Sequence, residues 1–205
     1  MLKRWFEDHL PGRSRLQGRW SFMAEPYSGD EVVVLDCETS VFDKKKGELL
    51  SVAAVRVKGN EIFLTEALDL TIRSDAVTDP DAVRIHYLRR EDRLAGIEVE
   101  DAIEQLLAFI GNRPICGFYI EYDRAILNRY IKQLYGFKLP NRFIEVSELY
   151  VKAKRRHHIH EVHLDLRFEG LAKDLQVPVV ERHTAMGDVI STALMYIKLT
   201  GFRKT

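Results

Sequence analysis

The feature that most constrains this chain is the stretch VVVLDCETS, residues 32–40, in which four aliphatic residues lead directly into Asp-Cys-Glu. Such an apolar run is typical of a buried strand. Side chains alternate along a strand, so Asp36 and Glu38 point to one face and Cys37 to the other. Two carboxylates on one face repel each other unless a cation lies between them or one is protonated. Paired carboxylates are ligands that suit Mg²⁺ or Mn²⁺; the alternative is a strand that ends in solvated acids.

Composition limits the classes of protein to which the chain can belong. It has 205 residues, the size of one domain, and equal numbers of basic and acidic residues, 31 of each, which argues against bulk electrostatic coating of nucleic acid. Cys37 and Cys116 lie in apolar runs and are expected to be buried thiols. The N-terminus has no apolar stretch typical of a signal peptide, and no later segment is predicted to span a membrane. We therefore expect a cytoplasmic protein that does not associate with membranes.

The spacing of apolar residues predicts strands first and helices later. Strands are expected over 31–36, 49–57, 61–72, 114–119 and 143–146, and helices over 99–110, 121–135, 164–175 and 184–199. Gly59-Asn60 predicts a tight turn between antiparallel neighbours. This order predicts an α/β domain with a mixed sheet, an antiparallel meander followed by parallel strands, and helices on both faces. We assign 31–205 to this domain and 1–30 to an N-terminal helix and arm.

Two further groups of residues could join the paired acids. Asp123 follows a buried strand and opens the next helix, where functional groups gather in open α/β sheets; alternatively, its carboxylate only stabilises the helix dipole. His183 and Asp188 are five residues apart at the start of the last helix, so both can face one side. A histidine there can take a proton from water; the alternative is a surface histidine beside a helix-start acid.

Taken together, these residues resemble the DEDDh, or DnaQ-like, superfamily of 3′–5′ exonucleases, which includes the proofreading epsilon subunit of the replicative polymerase, ribonuclease T and oligoribonuclease. Three segments carry the resemblance, which covers residues 30 to 200: LDCETS with Asp36 and Glu38, GFYIEYDRAIL with Asp123, and RHTAMGDV with His183 and Asp188. The resemblance implies a ribonuclease-H-like fold. It also implies that the four acids bind two Mg²⁺ or Mn²⁺ ions and that His183 accepts a proton from the attacking water.

The expected reaction is stepwise release of nucleoside 5′-monophosphates from the 3′ end of single-stranded or frayed nucleic acid, with DNA favoured. One alternative is the same chemistry on RNA or short oligoribonucleotides. Another is a module that binds nucleic acid without turnover. The chain has no evident polymerase-docking tail after its last predicted helix, so the resemblance is to a free-standing exonuclease, and a homodimer is possible.

The resemblance and the residue types suggest five substrate contacts: Thr39, Ser40, Phe42, His86 and Tyr119. Thr39 and Ser40 follow the first motif, and His86 matches a turn found in the family. Phe42 and Tyr119 could stack on bases, although Phe42 could instead anchor its loop and Tyr119 could pack in the core. Phe118-Tyr119 replaces the usual His-Asn pair of the family, which bears on substrate preference.

Three basic segments could contact phosphates, and each has a simpler interpretation. Residues 44–46 are three lysines, for which a solvated turn is the simpler interpretation, and 84–93 contains four arginines, for which it is an exposed helix. Residues 151–163 are rich in lysine, arginine and histidine. They could form a basic flap, a zinc site with His158, His160 and His163, or a plain loop.

Overall fold

The computed structural model describes residues 18–76, 88–156 and 164–201. Within these ranges the strands are β1 (Glu31–Thr39), β2 (Leu49–Lys58), β3 (Glu61–Ile62), β4 (Leu68–Thr71), β5 (Ile115–Gly117) and β6 (Phe143–Glu145). The helices are α1 (Arg90–Leu94), α2 (Val99–Ile110), α3 (Ile120–Tyr135), α4 (Val146–Arg156), α5 (Phe168–Leu175) and α6 (Ala185–Gly201). Short 3₁₀ helices cover Gly18–Ala24 and Leu64–Glu66. Among the described helices, none combines the length and the apolar character needed to cross a bilayer.

The strands form one mixed sheet in the order β3-β2-β1-β5-β6, with β4 also paired to β2. β1 runs antiparallel to β2 and parallel to β5, and β5 runs parallel to β6. The central strand β1 is longer than its parallel neighbour, and its last β5 partner is opposite Val34. The acid-bearing carboxyl end of β1 therefore extends past β5, and a space opens beside it.

Helices cover both faces of the sheet, as predicted. On one face, Val33, Leu35 and Cys37 of β1 pack in a cluster with the apolar stripes of α2 and α3. On the other, Val32 and Val34 belong to a cluster with residues of α4, α5 and α6. The alternation of β1 thus directs Asp36 and Glu38 toward the α6 face, because they continue the series of Val32 and Val34.

Several predicted boundaries differ from the structure. The strand expected over 61–72 is interrupted: β3 and β4 both pair with β2, and the 3₁₀ turn Leu64–Glu66 separates them. The helix expected over 164–175 begins only at Phe168, because the Asp165 carboxylate accepts a hydrogen bond from the Arg167 amide and holds a turn there. Residues 151–156, which were expected to open a loop or flap, continue α4.

The segment before β1 packs on the domain. Trp20 and Met23 are buried in the α2–α3 cluster, and the Trp20 ring meets Tyr135 edge-on at 5.8 Å. Arg19 adds an ion pair with Glu104. The predicted helix near the N-terminus, His86 and the histidines of 157–163 lie outside the described residues.

Candidate active site

A cavity of about 250 Å³ opens at the end of β1. Eight of the predicted site residues line it: Asp36, Glu38, Thr39, Phe42, Tyr119, Asp123, His183 and Asp188. They come from β1, the loop after it, the turn into α3 and the start of α6. Residues that are far apart in sequence thus meet where β1 outruns β5.

Three of the acids form a compact cluster. Asp36 and Glu38 project from β1 toward α6, and Asp188 comes from the first turn of α6. One carboxylate oxygen of each lies within 4.8 Å of the other two. The ladder between β1 and β2 shifts register between Glu38 and Thr39, and such irregularities re-aim side chains at the ends of strands.

Asp123 lies at the same cavity but outside this three-acid cluster. It is buried in the first turn of α3, and its Oδ1 accepts a hydrogen bond of 3.0 Å from the Cys37 amide. The corresponding amide of Val33 bonds to the Pro114 carbonyl, whereas β5 ends before it can reach Cys37. Asp123 therefore takes the place of a missing strand partner and is fixed beside the acids of β1.

Burial raises the pKa of all four carboxyl groups. It raises the pKa of Glu38 to about 8 and that of Asp123 to about 7, and it holds the pKa of Asp36 well above its usual range. Repulsion among the acids adds to the effect at Asp36 and Glu38. Burial also raises the pKa of Asp188, although Arg182 opposes this. Ionisation of all four acids together is therefore unfavourable without a further positive charge.

These residues fit a divalent cation. Asp36, Glu38 and Asp188 offer converging hard oxygen ligands, the donor type that Mg²⁺ and Mn²⁺ prefer. Asp188 Oδ1 is buried and has no hydrogen-bond partner among the described residues, although buried polar atoms are normally satisfied. A cation would satisfy that oxygen and remove the repulsion that raises the pKa values.

Arg182 is part of the site and was not predicted. Its guanidinium ion-pairs with Asp188 Oδ2, donates from Nε to Glu169 at 2.9 Å, and lies 4.1 Å from the centre of the Phe168 ring. It partly neutralises the acid cluster from one side. Its position directly before His183 was visible in the sequence, but a single arginine in a turn forms no pattern that predicts an ion pair.

His183 lines the cavity from the turn before α6. Its φ of 68° lies in the left-handed region, which is uncommon for residues other than glycine and recurs at functional sites. The Thr184 hydroxyl accepts a hydrogen bond from the Gly187 amide and caps α6. A side chain at Gly187 would collide with the carbonyl oxygens of Val180 and Glu181. Gly187 therefore lets the turn that carries His183 lie directly against the helix.

The turn into α3 is fixed in a similar way. Tyr119 has a φ of 55° and immediately precedes the helix. Glu145, at the end of β6, accepts a hydrogen bond of 3.0 Å from the Ile120 amide. This contact was not predicted, although a carboxylate at the end of a predicted strand was a signal for it. It fixes the start of the helix that carries Asp123.

Two exposed aromatic rings flank the cavity. The Phe42 residue is 84% exposed and Tyr119 is 63% exposed. Phe42 stacks on Tyr122, with ring centres 4.4 Å apart, and the Tyr122 hydroxyl lies 2.7 Å from Thr39 Oγ1. The outer face of Phe42 is thus presented to solvent by a rigid support.

The structure does not bring every predicted contact to the cavity. Ser40 is buried, and its hydroxyl accepts a hydrogen bond from the Glu48 amide, which places it in the base of the loop after β1. His86 lies outside the described residues. Contact of either side chain with substrate stays a prediction.

The sequence matches a known protein family. A family model described as an exonuclease, RNase_T, matches residues 33–196. The chain belongs to this exonuclease family. The exonuclease is 25% identical over 170 residues to DNA polymerase III subunit epsilon of Aquifex aeolicus, covering 82% of this chain and 79% of that protein. It is 33% identical over 139 residues to oligoribonuclease of Streptomyces griseus, covering 62% of this chain and 69% of that protein.

The fold comparison agrees. Exonuclease I of E. coli, solved in complex with a dA16 oligonucleotide, superposes with a TM-score of 0.70 at 18% identity, over 86% of this chain and 42% of that one. This chain thus spans less than half the length of exonuclease I. The ribonuclease-H-like fold, the DnaQ-like family and the enzyme class, a metal-dependent 3′–5′ exonuclease, are confirmed.

Proposed function

We propose that this exonuclease uses Asp36, Glu38, Asp123 and Asp188 to bind two Mg²⁺ or Mn²⁺ ions and removes nucleotides from the 3′ end of single-stranded or frayed DNA. Catalysis is assigned to a domain over 31–205, with 1–30 as an arm. The observation that carries the proposal is the cluster of converging acids with raised pKa values in one cavity. Structural carboxylates in proteins normally have cationic or hydrogen-bonding partners, and this cluster is short of them.

The protein's own residues divide the work. Divalent cations at such a site stabilise charge on the phosphate and lower the pKa of water. Asp36 and Glu38 are ligands on the central strand, a stiff mount, and Asp123 is oriented by its hydrogen bond to Cys37. His183 accepts the proton of the attacking water, a role that fits its position at the cavity wall.

The exposed rings provide a surface for the terminal bases. Stacking of a base on an aromatic side chain contributes about 1–3 kcal/mol and tolerates any base. Phe42 is supported from behind by Tyr122, and Tyr119 projects from the fixed turn before α3. The solved complex of E. coli exonuclease I with dA16 supports a single strand as ligand for this fold.

A second candidate substrate is a short oligoribonucleotide. The observation that favours it is the 33% identity to an oligoribonuclease, which sits beside the 25% identity to a DNA polymerase III subunit. The chemistry and the proposed residues would be the same for both substrates. The difference would lie in the contacts made to the sugar.

The test uses matched DNA and RNA oligomers labelled at the 5′ end, with Mg²⁺ or Mn²⁺, and a denaturing gel. We expect a ladder of single-nucleotide steps on DNA. The His183→Ala variant should slow its formation about 10²- to 10⁴-fold, the usual contribution of a general base. Lys58→Gln, at the opposite end of the sheet from Asp36, serves as the matched surface control and should retain the wild-type rate.

Each other outcome has a definite meaning. A ladder on RNA alone, or only on the shortest oligomers, would replace DNA by RNA in the proposal. Wild-type activity in His183→Ala would remove the histidine from the mechanism. Binding of the oligomers without any ladder, in either metal, would leave a module that binds nucleic acid without turnover.

A further inference from the structure

A second groove lies on the outer face of α3, away from the acid cluster. It has a volume of about 530 Å³ and is lined by Glu121, Arg124, Asn128, Arg129, Lys132 and Lys138. All but Lys138 lie on α3: Glu121, Arg124, Asn128 and Lys132 are three or four residues apart and share one side of the helix, and Arg129 adjoins them. Glu121 and Asp123 are two residues apart and point to different sides of α3, so the groove lies around the helix from the cavity and runs toward the carboxyl end of α3.

The lysine loop, residues 41–47, joins this groove to the cavity. Arg129 Nη1 donates hydrogen bonds to the carbonyl oxygens of Lys45 at 2.6 Å and Lys44 at 3.2 Å, and Nη2 donates to that of Gly47. The same loop carries Phe42, whose ring stacks over Tyr122 at the cavity. Cavity, lysine loop and groove therefore form one continuous surface.

The part of this surface outside the cavity, formed by the lysine loop and the groove, is strongly basic although the chain as a whole has no net charge. It carries seven cations, Lys44, Lys45, Lys46, Arg124, Arg129, Lys132 and Lys138, against two acids, Asp43 and Glu121. Asp43 accepts hydrogen bonds from the amides of Lys45 and Lys46, and Glu121 pairs with Arg124 at 2.9 Å. Within the part of the chain that the structure describes, none of the five lysines forms an ion pair with a carboxylate.

The basic side of α4 is different. Lys152 pairs with Glu148 at 3.4 Å, and Lys154 pairs with Asp174 at 2.5 Å. Their charges are therefore compensated within the protein, whereas the lysines of the groove are open to an external anion. An arrangement of several uncompensated cations along a track suits a chain of phosphates better than a single anion.

We propose that the lysine loop and the α3 groove bind the phosphate backbone of the single strand upstream of the nucleotide being removed. The inference rests on the proposed function, which places the 3′ end in the cavity. Lys132 is nine residues along α3 from Asp123, which corresponds to about 13 Å of helix. Lys132 thus lies beyond the reach of the terminal nucleotide, and we expect this end of the groove to contact only longer substrates.

The test compares a dinucleotide with an oligomer long enough to cross the groove, using the Lys132→Gln/Lys138→Gln double variant. Both lysines are exposed, and neither lines the active-site cavity. Oligomer affinity is measured by fluorescence anisotropy without divalent cations, over about 50 to 200 mM salt. Cleavage of both substrates is measured with Mn²⁺. Lys58→Gln is the surface-lysine control, since Lys58 lies opposite Glu31 at the far end of the sheet, where it pairs with Asp30 at 3.4 Å.

We expect the double variant to bind the long oligomer about tenfold more weakly, with a slope of log affinity against log salt reduced by about 1.4, or 0.7 for each lost phosphate contact. Cleavage of the dinucleotide should be unchanged, as should both measurements for Lys58→Gln. An unchanged salt slope, or a loss of cleavage as large on the dinucleotide as on the long oligomer, would overturn the proposal that the groove binds phosphates. If no protein cleaves either substrate, the proposed function fails, while the anisotropy result still decides the groove.

Discussion

The two ends of β1 carry carboxyl groups whose pKa values are shifted in opposite directions. At the amino end, Glu31 accepts a hydrogen bond of 2.7 Å from Arg113 Nε and lies 3.3 Å from Arg56, and Arg113 holds its pKa below the usual value. At the carboxyl end, burial and mutual repulsion raise the pKa of Asp36 and Glu38. Arginine side chains of the protein neutralise Glu31, whereas the clustered acids need a cation bound from solution.

Arg182 prevents this contrast from being complete. It ion-pairs with Asp188 and lowers the pKa of the clustered acids, yet burial and repulsion still prevail over it. The site thus keeps part of its charge compensated before a cation arrives.

The largest effect is expected for Asp36→Asn. Loss of a cation ligand should reduce cleavage about 10³-fold or more, since metal ions contribute several kcal/mol to such reactions. In metal-free buffer the same variant should melt at a higher temperature, because one source of repulsion is gone. Gel assays and calorimetry measure the two effects. Retained activity, or a lower melting temperature without metal, would contradict the assignment of Asp36 as a ligand.

Removal of divalent cations should make stability depend on pH. The folded-state pKa of Glu38 is about 8, above its unfolded value, so the folded protein binds the proton more tightly. Stability is therefore greatest below the usual carboxyl pKa and falls as pH rises through 8. Above pH 8 we expect the melting temperature to be roughly 5–10 °C lower than at acidic pH. The pKa shift corresponds to a loss on the order of a few kcal/mol in the free energy of unfolding. Mn²⁺ should abolish most of this decrease in melting temperature. A melting temperature that does not depend on pH without metal would contradict the raised pKa of Glu38.

Glu31→Gln should give the converse result. Arg113 and Arg56 would lose a partly buried carboxylate partner, at a cost of about 1–2 kcal/mol in the free energy of unfolding. Cleavage per folded molecule should be unchanged, since Glu31 is at the opposite end of the strand. Denaturant titration and the gel assay check both points. A loss of activity as large as that of Asp36→Asn would erase the distinction between the two ends.

The smallest effect is expected for Arg182→Gln. The guanidinium occupies one oxygen of Asp188, so it competes with a cation for that ligand. In the variant, the concentration of Mn²⁺ that gives half-maximal thermal stabilisation should fall about three- to tenfold. This factor corresponds to the free energy of one ion pair that is partly exposed to solvent. Weaker Mn²⁺ affinity in the variant would show instead that Arg182 orients Asp188 for binding.

Part of the fold could be predicted from sequence because its signals are local, and most of the site because its three motifs together resemble a known family. The apolar run before Asp36 indicated a central strand, and alternation placed Asp36 and Glu38 on one face. Asp123 was predicted at the start of the helix after a buried strand, and Asp188 at the start of the last helix. These inferences need only the repeat of a strand or a helix, whereas the resemblance to the DEDDh superfamily was needed to place all four acids in one site.

The remainder depended on contacts between segments. The chain by itself determined the central strand, the order of the acids and the two-sided packing of helices, because periodic patterns encode which faces are buried. Only the tertiary structure decided that Arg182 pairs with Asp188, that Asp123 replaces a strand partner of Cys37, and that Arg129 holds the lysine loop against α3. Each of these is a polar contact between residues in different segments. Its geometry depends on how the segments pack and on how far one element extends past another, which the periodic pattern of a single segment does not predict.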